Sequence, residues 1–330
     1  MRYKKVLAFI FGVVLLVFCG FSFKRTERQW NKWLKGNEQE YYGNLNLWHI
    51  KDDYSVNLPY EKLLKRFEKQ NFGIFINVES LTSDEAGNKI ENGEYPDLII
   101  YSRSLFPVES YAELNSLKIP LEQSGKHKNK LFAYALCYDT YIILLNDEII
   151  DETEEDLGVV TPEHLVNSLI KLPFKEGVLP MGFTSLGGAL NLADAMGEQT
   201  GDIPYASCSV DDFAAGKTAV LVCGKRELEE YKGELPSNTE YIFSEFTDRG
   251  RFLSVYNSGD ESRVKYAKMA AEMLLSESSA DIIDEFAFSA AKAKDVRLLG
   301  AFNERIDEAA LKALINADRK KLLERIGKMK

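Results

Sequence analysis

The sequence predicts an α/β protein of two lobes joined by strands that cross between them. Three observations carry this expectation. Strand-like and helix-like patterns alternate along the chain, which is how a sheet covered by helices reads in sequence. A length of 330 residues exceeds what one hydrophobic core usually serves, so two bodies of roughly 120 to 160 residues are expected. Residues 131–146 form one β-type stretch interrupted at 137–140; it is too long for one compact strand and suited to passing from one lobe into the other.

The elements follow in order. Residues 44–50 alternate, with Leu45, Leu47 and His49 on one face and Asn46, Trp48 and Ile50 on the other. Pro59 suits the first turn of a helix whose apolar residues Tyr60, Leu63, Leu64 and Phe67 recur at helical spacing. A β-branched run at 74–78 follows, then a polar stretch holding a short helix and ending in Gly93 and Pro96. The apolar strand at 98–100 reads as buried on both faces. Past the crossing, helices are expected at 162–172, 186–196 and 210–215, and strands at 178–183 and 218–223. A strand pair at 241–245 and 251–256 carries the chain back, and helices at 263–275, 280–286 and 307–326 close it. The resulting organisation is a leader at 1–23, a spacer at 24–43 with Trp30, Trp33, Tyr41 and Tyr42, a first lobe at 44–136, a second at 137–250, and a return over 251–330.

Composition narrows the function classes. With 45% hydrophobic and 28% charged residues the chain must fold, and 41 Lys and Arg against 51 Asp and Glu give a net charge of −10. No basic stripe of the kind that neutralises phosphates is present, so nucleic acid is excluded as a partner. Arg2, Lys4 and Lys5 precede an uncharged apolar run at 6–23, the pattern of an export signal. Its eighteen residues would span about 27 Å as a helix, close to a bilayer core, so an uncleaved anchor is one reading. Leu16-Val17-Phe18-Cys19-Gly20 also resembles a bacterial lipoprotein signal, in which Cys19 is lipidated; Phe18 departs from the small residue preferred there. Either way the body is expected outside the cytoplasm, held to the cell membrane. Beyond Cys19 there are Cys137, Cys208 and Cys223. Cys208 and Cys223 either pair or remain free thiols, and no Cys or His spacing suggests a metal.

The segments Leu45-Asn46-Leu47-Trp48-His49, Tyr60 to Gln70 with its Phe67-Glu68-Lys69-Gln70 ending, Ile76-Asn77-Val78, and Gly93-Glu94-Tyr95-Pro96-Asp97 before a buried strand resemble an extracellular solute-binding protein of a bacterial ABC importer, in the sugar-binding, family 1-like branch. The similarity continues through Phe132-Ala133-Tyr134-Ala135-Leu136, Tyr141, Asn146, Thr161-Pro162-Glu163, Phe213-Ala214-Ala215-Gly216-Lys217 and residues 268–276, covering most of 44–290. It implies a periplasmic-binding-protein-like fold of two α/β lobes with hinge-crossing strands and a ligand held in the cleft. The implied partners are a mono- or oligosaccharide and the permease subunits of an ABC importer. Departures occur at Cys137, where the family often has Pro, at Phe288-Ser289-Ala290, and between Gly197 and Phe213, where fifteen residues stand in place of a longer insertion. That trimmed second lobe motivates an alternative, a scaffold that no longer transports and acts as a sensor or assembly partner.

Ligands of open parallel sheets sit beyond the carboxyl ends of the strands, where helix N-termini and loop amides converge. The candidates are therefore Trp48, His49, Asp52 and Asp53 after the first strand, and Tyr101 and Ser102 after the third. In the second lobe they are Phe183, Thr184, Ser185 and Gly224, with Tyr138 and Tyr256 near the hinges. Aromatics to stack on sugar C–H faces and polar groups to meet hydroxyls are both in this set. Each has a plainer reading: Trp48 and His49 as core residues, Asp52 and Asp53 as solvated or capping, Thr184 and Ser185 as N-caps. No GxSxG, HExxH or phosphate-binding Gly-rich loop occurs, and the three His are scattered, so no catalytic residue or cofactor is expected. A ferric-ion or polyamine binder on the same scaffold is the nearer rival.

Overall fold

The computed structural model describes residues 41–51, 56–150, 178–185, 205–243, 246–294 and 296–302. Two compact units divide the chain, Met1–Gly43 and Asn44–Lys330, and both main sheets belong to the second. The described chain opens with β1 (Gly43–Lys51), α1 (Tyr60–Gln70), β2 (Ile74–Thr82), α2 (Ser83–Glu91) and β3 (Leu98–Tyr101). A small hairpin, β4 (Lys126–His127) and β5 (Lys130–Leu131), precedes β6 (Tyr134–Tyr138) and β7 (Tyr141–Asn146). Next come α3 (Asp147–Ile150), β8 (Leu179–Phe183), β9 (Tyr205–Ser207), α4 (Val210–Ala214), β10 (Thr218–Gly224), α5 (Lys225–Glu230) and β11 (Thr239–Phe243). The last group is β12 (Phe246–Thr247), β13 (Gly250–Val255), α6 (Glu261–Leu274), α7 (Glu277–Ile283), β14 (Phe288–Ser289) and β15 (Arg297–Leu298).

The first sheet has the order β14-β6-β13-β3-β1-β2 and the second β11-β7-β10-β8-β9. β1 and β3 are parallel, as are β8 with β9 and β10. The crossing strands break that pattern: β13 runs antiparallel to β3 and β6, and β7 antiparallel to β10 and β11. A strand arriving from the other sheet enters where the parallel strands leave, so it must run against them. Phe252 accordingly faces Tyr101 at the end of β3, and Tyr141 faces Gly224 at the end of β10. Two residues, Asp139 and Thr140, separate β6 from β7. The strands expected as a pair near 241–256 instead belong to different sheets, β11 to the second and β13 to the first, because the return crossing falls between them.

Local chemistry explains the elements. β3 is apolar throughout because both its faces are buried. α1 buries Tyr60, Leu63, Leu64 and Phe67, with Pro59 as its N-cap residue one step earlier than expected. α2, on the edge side beside β2, starts from a capping box in which Thr82 and Glu85 satisfy each other's backbone N–H. α6 turns a face of small residues, Ala267, Ala270 and Ala271, toward α1 and β13, and Arg263 on it pairs with buried Asp97 just before β3.

Cys137 and Cys223 are buried, Cys208 is half-buried, and all are free thiols. Cys208 follows β9 and Cys223 lies in β10, with β8 between them. Two strand spacings, about 10 Å, exceed the reach of a disulfide, which resolves the pairing left open by the sequence. The leader with Cys19, Trp30 and Trp33, the pair Asp52 and Asp53, and the helices expected at 162–172, 186–196 and 307–326 lie outside the described residues. Among the described residues no helix is long and apolar enough to cross a membrane.

Candidate functional site

The ends of the parallel strands in both sheets meet the crossing segments in a polar seam. From the first sheet come Ile50 at the end of β1 and Ser102 just after β3. From the second come Thr184 and Ser185 after β8, and Gly224 at the end of β10. Between them runs Thr247-Asp248-Arg249-Gly250-Arg251, and its two arginines are only 3% and 2% exposed. A guanidinium that far from water must be paired or hydrogen-bonded. Arg251 serves the first sheet: one terminal nitrogen donates to Ser102 Oγ at 2.8 Å and the other to the Ile50 carbonyl. Arg249 serves the second. Its Nη2 donates to Glu227 Oε1 at 2.6 Å and Ser185 Oγ at 3.3 Å, its Nη1 to Asp139 Oδ2 at 3.2 Å, and it lies 4.5 Å from the Tyr141 ring centroid.

The backbone makes room for this arrangement. A Cβ on Gly224 would fall 1.6 Å from Arg249 Nη1, so only glycine lets the guanidinium lie against the end of β10. The Gly224 N–H donates to Glu227 Oε2 at 3.0 Å and the Thr184 hydroxyl donates to the same oxygen. The Tyr141 hydroxyl donates to Asp248 Oδ1 at 2.8 Å and lies 3.2 Å from Ser185 Oγ. The Thr247 hydroxyl donates to the Asp139 carbonyl at 2.7 Å and accepts from the Arg249 N–H, tying the two crossing segments together.

The two carboxylates beside Arg249 diverge in acidity. Burial pushes Asp139 up, and the Arg249 charge with the Thr140 N–H does not offset it. Burial pushes Glu227 up as well, but hydrogen bonds from Thr184 and Gly224 together with Arg249 outweigh it and hold the carboxyl below its ordinary value. For Arg249, burial disfavours the charge, while Tyr141 and Glu227 more than restore it, so its protonated form is favoured. Burial raises the Cys223 thiol to about 12, leaving it without nucleophilic character.

The seam brings together Ser102, Thr184, Ser185 and Gly224 from the residues singled out in the sequence. Phe183 is buried at the end of β8 beside them. Tyr138 is buried at the end of β6 and stacks on Phe288, with centroids 5.5 Å apart. Trp48, His49 and Tyr101 are interior. Trp48 is covered by the Lys89 ammonium, and His49 lies with Nδ1 3.3 Å from Ser80 Oγ and its ring 5.0 Å from that of Tyr60. Tyr101, a candidate for the cleft at the end of β3, does not reach it. Its side chain instead lies along the sheet face with Ile99 in the core, fully buried, hydroxyl 2.8 Å from Ser254 Oγ and ring stacked on Tyr111. Tyr256 stands at the opposite end of β13 from the crossing, stacked on Tyr95 at 5.1 Å. Six strand residues, about 20 Å, separate it from the hinge at 247–249. Asp52 and Asp53 lie outside the described residues.

Sequence reasoning passed over Asp139, Tyr141, Glu227, Arg249 and Arg251. One signal was present: two arginines alternating about a glycine at the mouth of an otherwise apolar strand. A second was a glutamate three residues after a strand-ending glycine, the position from which a side chain can bond back to the N-cap N–H. Among the described residues no cluster of His, Cys, Asp and Glu could hold a metal ion. The seam can offer hydroxyls and carboxylates to a polar guest, and the Arg249 guanidinium within it is matched by Asp139 and Glu227.

No family model matches the chain, and no curated protein matches it. Solved structures do. The maltodextrin binding protein MalE1 from L. casei BL23, solved without ligand, is 13% identical with a TM-score of 0.54, covering 88% of this chain and 98% of that one. A family 1 extracellular solute-binding protein from Bifidobacterium longum subsp. infantis is 11% identical with a TM-score of 0.53, covering 85% of this chain and 87% of that one. The chain has the two-lobe α/β fold of these solute-binding proteins.

Proposed function

We propose that this protein captures a small polar solute between its two lobes, with a carbohydrate as the solute, and hands it to the permease of an ABC importer without catalysing a reaction. The observation that carries this reading is the seam itself. Strand ends of both sheets, each with hydroxyls or carboxylates, converge on crossing segments as short as two residues, so a guest in the gap bridges groups that separate when the lobes turn apart. Ser102, Thr184, Ser185, Asp139 and Glu227 supply hydrogen-bonding groups for sugar hydroxyls. A bridging guest stabilises the closed arrangement by its differential affinity for it. The basic and apolar leader at 1–23 supports export and tethering at the cell membrane, by lipid on Cys19 or by an uncleaved anchor.

Melting the protein with mono- and oligosaccharides, polyamines and ferric ion tests the proposal. A sugar at one hundred times its dissociation constant should stabilise the fold by about 2.7 kcal/mol. A shift confined to ferric ion or polyamines replaces the sugar with that ligand class. No shift with any of them leaves a scaffold that serves as a sensor or assembly partner and overturns solute capture.

A further inference from the structure

One contact joins the two sheets at a place that neither the arginine seam nor solute capture uses. Lys225 opens α5 directly after β10 of the second sheet, and its N–H donates to the Thr140 carbonyl at 2.8 Å. Its ammonium lies 4.3 Å from the ring centroid of Phe288. Phe288 is in β14, the edge strand of the first sheet, and its ring stacks on Tyr138, the last residue of β6 before the chain crosses. Glu229 stands 3.3 Å from the same ammonium, so the cation is held between a carboxylate of its own helix and an aromatic face of the other sheet.

We propose that Lys225 and Phe288 form a latch that biases the molecule toward the inter-lobe angle seen here. Each partner belongs to its own sheet: Lys225 directly follows Gly224, which pairs with Tyr141 in the second sheet, and is held by Glu229, while Phe288 is held in the first sheet by the β-ladder to Tyr138 and by the Tyr138 ring. Arg249 and Asp139 belong to the crossing segments and travel with the hinge. Lys225 and Phe288 do not, so rotation of one sheet against the other changes their separation. A cation–π contact acts only within about 6 Å of the ring centroid, so it is made over a narrow range of angles and favours the conformer in which it is made. Both side chains are half-buried, and a contact at the lower end of the cation–π range changes a population ratio by about two- to five-fold. The inference needs the hinge of the fold and no ligand, and therefore stands or falls independently of the sugar.

The test is the distance between lobes in the full protein without added solute. An azide-bearing residue at each of the exposed positions Lys62, on α1, and Lys232, after α5, takes a donor and an acceptor dye and leaves the native cysteines untouched. Single-molecule energy transfer then reads the conformer populations. Lys225→Gln and Phe288→Leu should each shift the ratio by about two- to five-fold in the same direction, the double variant should shift it no further, and Lys225→Arg should keep the native distribution. Far-UV dichroism and melting of each variant establish that it is folded. An unchanged distribution in folded Lys225→Gln, additive effects of the two substitutions, or Lys225→Arg behaving like Lys225→Gln would each overturn the latch.

Discussion

Arg249 joins a crossing segment to a helix of the second sheet while almost wholly shielded from water. Removing one partner of such a group leaves opposite charges behind without compensation. Arg249→Met should therefore lower the free energy of unfolding by about 3 kcal/mol in urea denaturation. Arg249→Lys keeps the charge but loses the planar fork that reaches Glu227, Ser185 and Asp139 together, and should fall between the two. A loss below about 0.5 kcal/mol for Arg249→Met, the size of an ordinary surface change, would contradict this account. Tyr101 makes the same point for the core. Tyr101→Ala should cost about 3–5 kcal/mol as a cavity, and Tyr101→Phe about 1 kcal/mol for the hydrogen bond with Ser254. A ligand-contact role would instead leave the unliganded stability of Tyr101→Ala nearly intact.

At the scale of elements, the end of β10 and the start of α5 work as one piece. Gly224→Ala pushes a methyl group into the Arg249 guanidinium and should cost about 1–3 kcal/mol. Gly87→Ala in α2, where a Cβ would meet nothing within 4 Å, should instead gain about 0.5–1 kcal/mol from helix propensity and unfolded-state entropy. Equal effects of the two in thermal or urea unfolding would contradict the packing described. Acid titration separates the carboxylates. Glu227, with a depressed folded value, contributes stability above its unfolded value of about 4.3, and that contribution is lost as pH falls through the folded value. Asp139, with a raised folded value, has the opposite sign: its contribution is present below its unfolded value of about 3.9 and is lost as pH rises through the folded one. Melting temperatures across this acid range should thus depend less on pH in Glu227→Gln and more in Asp139→Asn; shifts in the same direction would contradict the assignment.

The same elements show what the sequence could reveal. β1, β3 and α1 were legible because burial imposes a period on neighbouring residues, and the break at 137–140 because an apolar run met Asp139 and Thr140. Mixed sheet direction was not legible, since it depends on which sheet a crossing strand enters. Nor was the seam: Arg249 and Asp139 are 110 residues apart, and no local pattern records such a meeting. Tyr101 failed for a smaller reason, because sequence tells that a strand ends but not whether its last side chain lies on the sheet face or off its end.

For the whole molecule, two sheets face each other by their strand ends across short crossing segments, and in the proposed function they grip a small polar guest between them. The consequence is a coupling between ligand and shape, since a guest that bridges both lobes must favour the arrangement that brings them together. Small-angle scattering and thermal melting of the same sample, with and without a saturating sugar drawn from a maltooligosaccharide and monosaccharide panel, measure both sides of that coupling. The account predicts a sugar that raises the melting temperature and reduces the radius of gyration together. Melting and radius both unmoved by every sugar in the panel, or a melting shift with no change in radius, would contradict it.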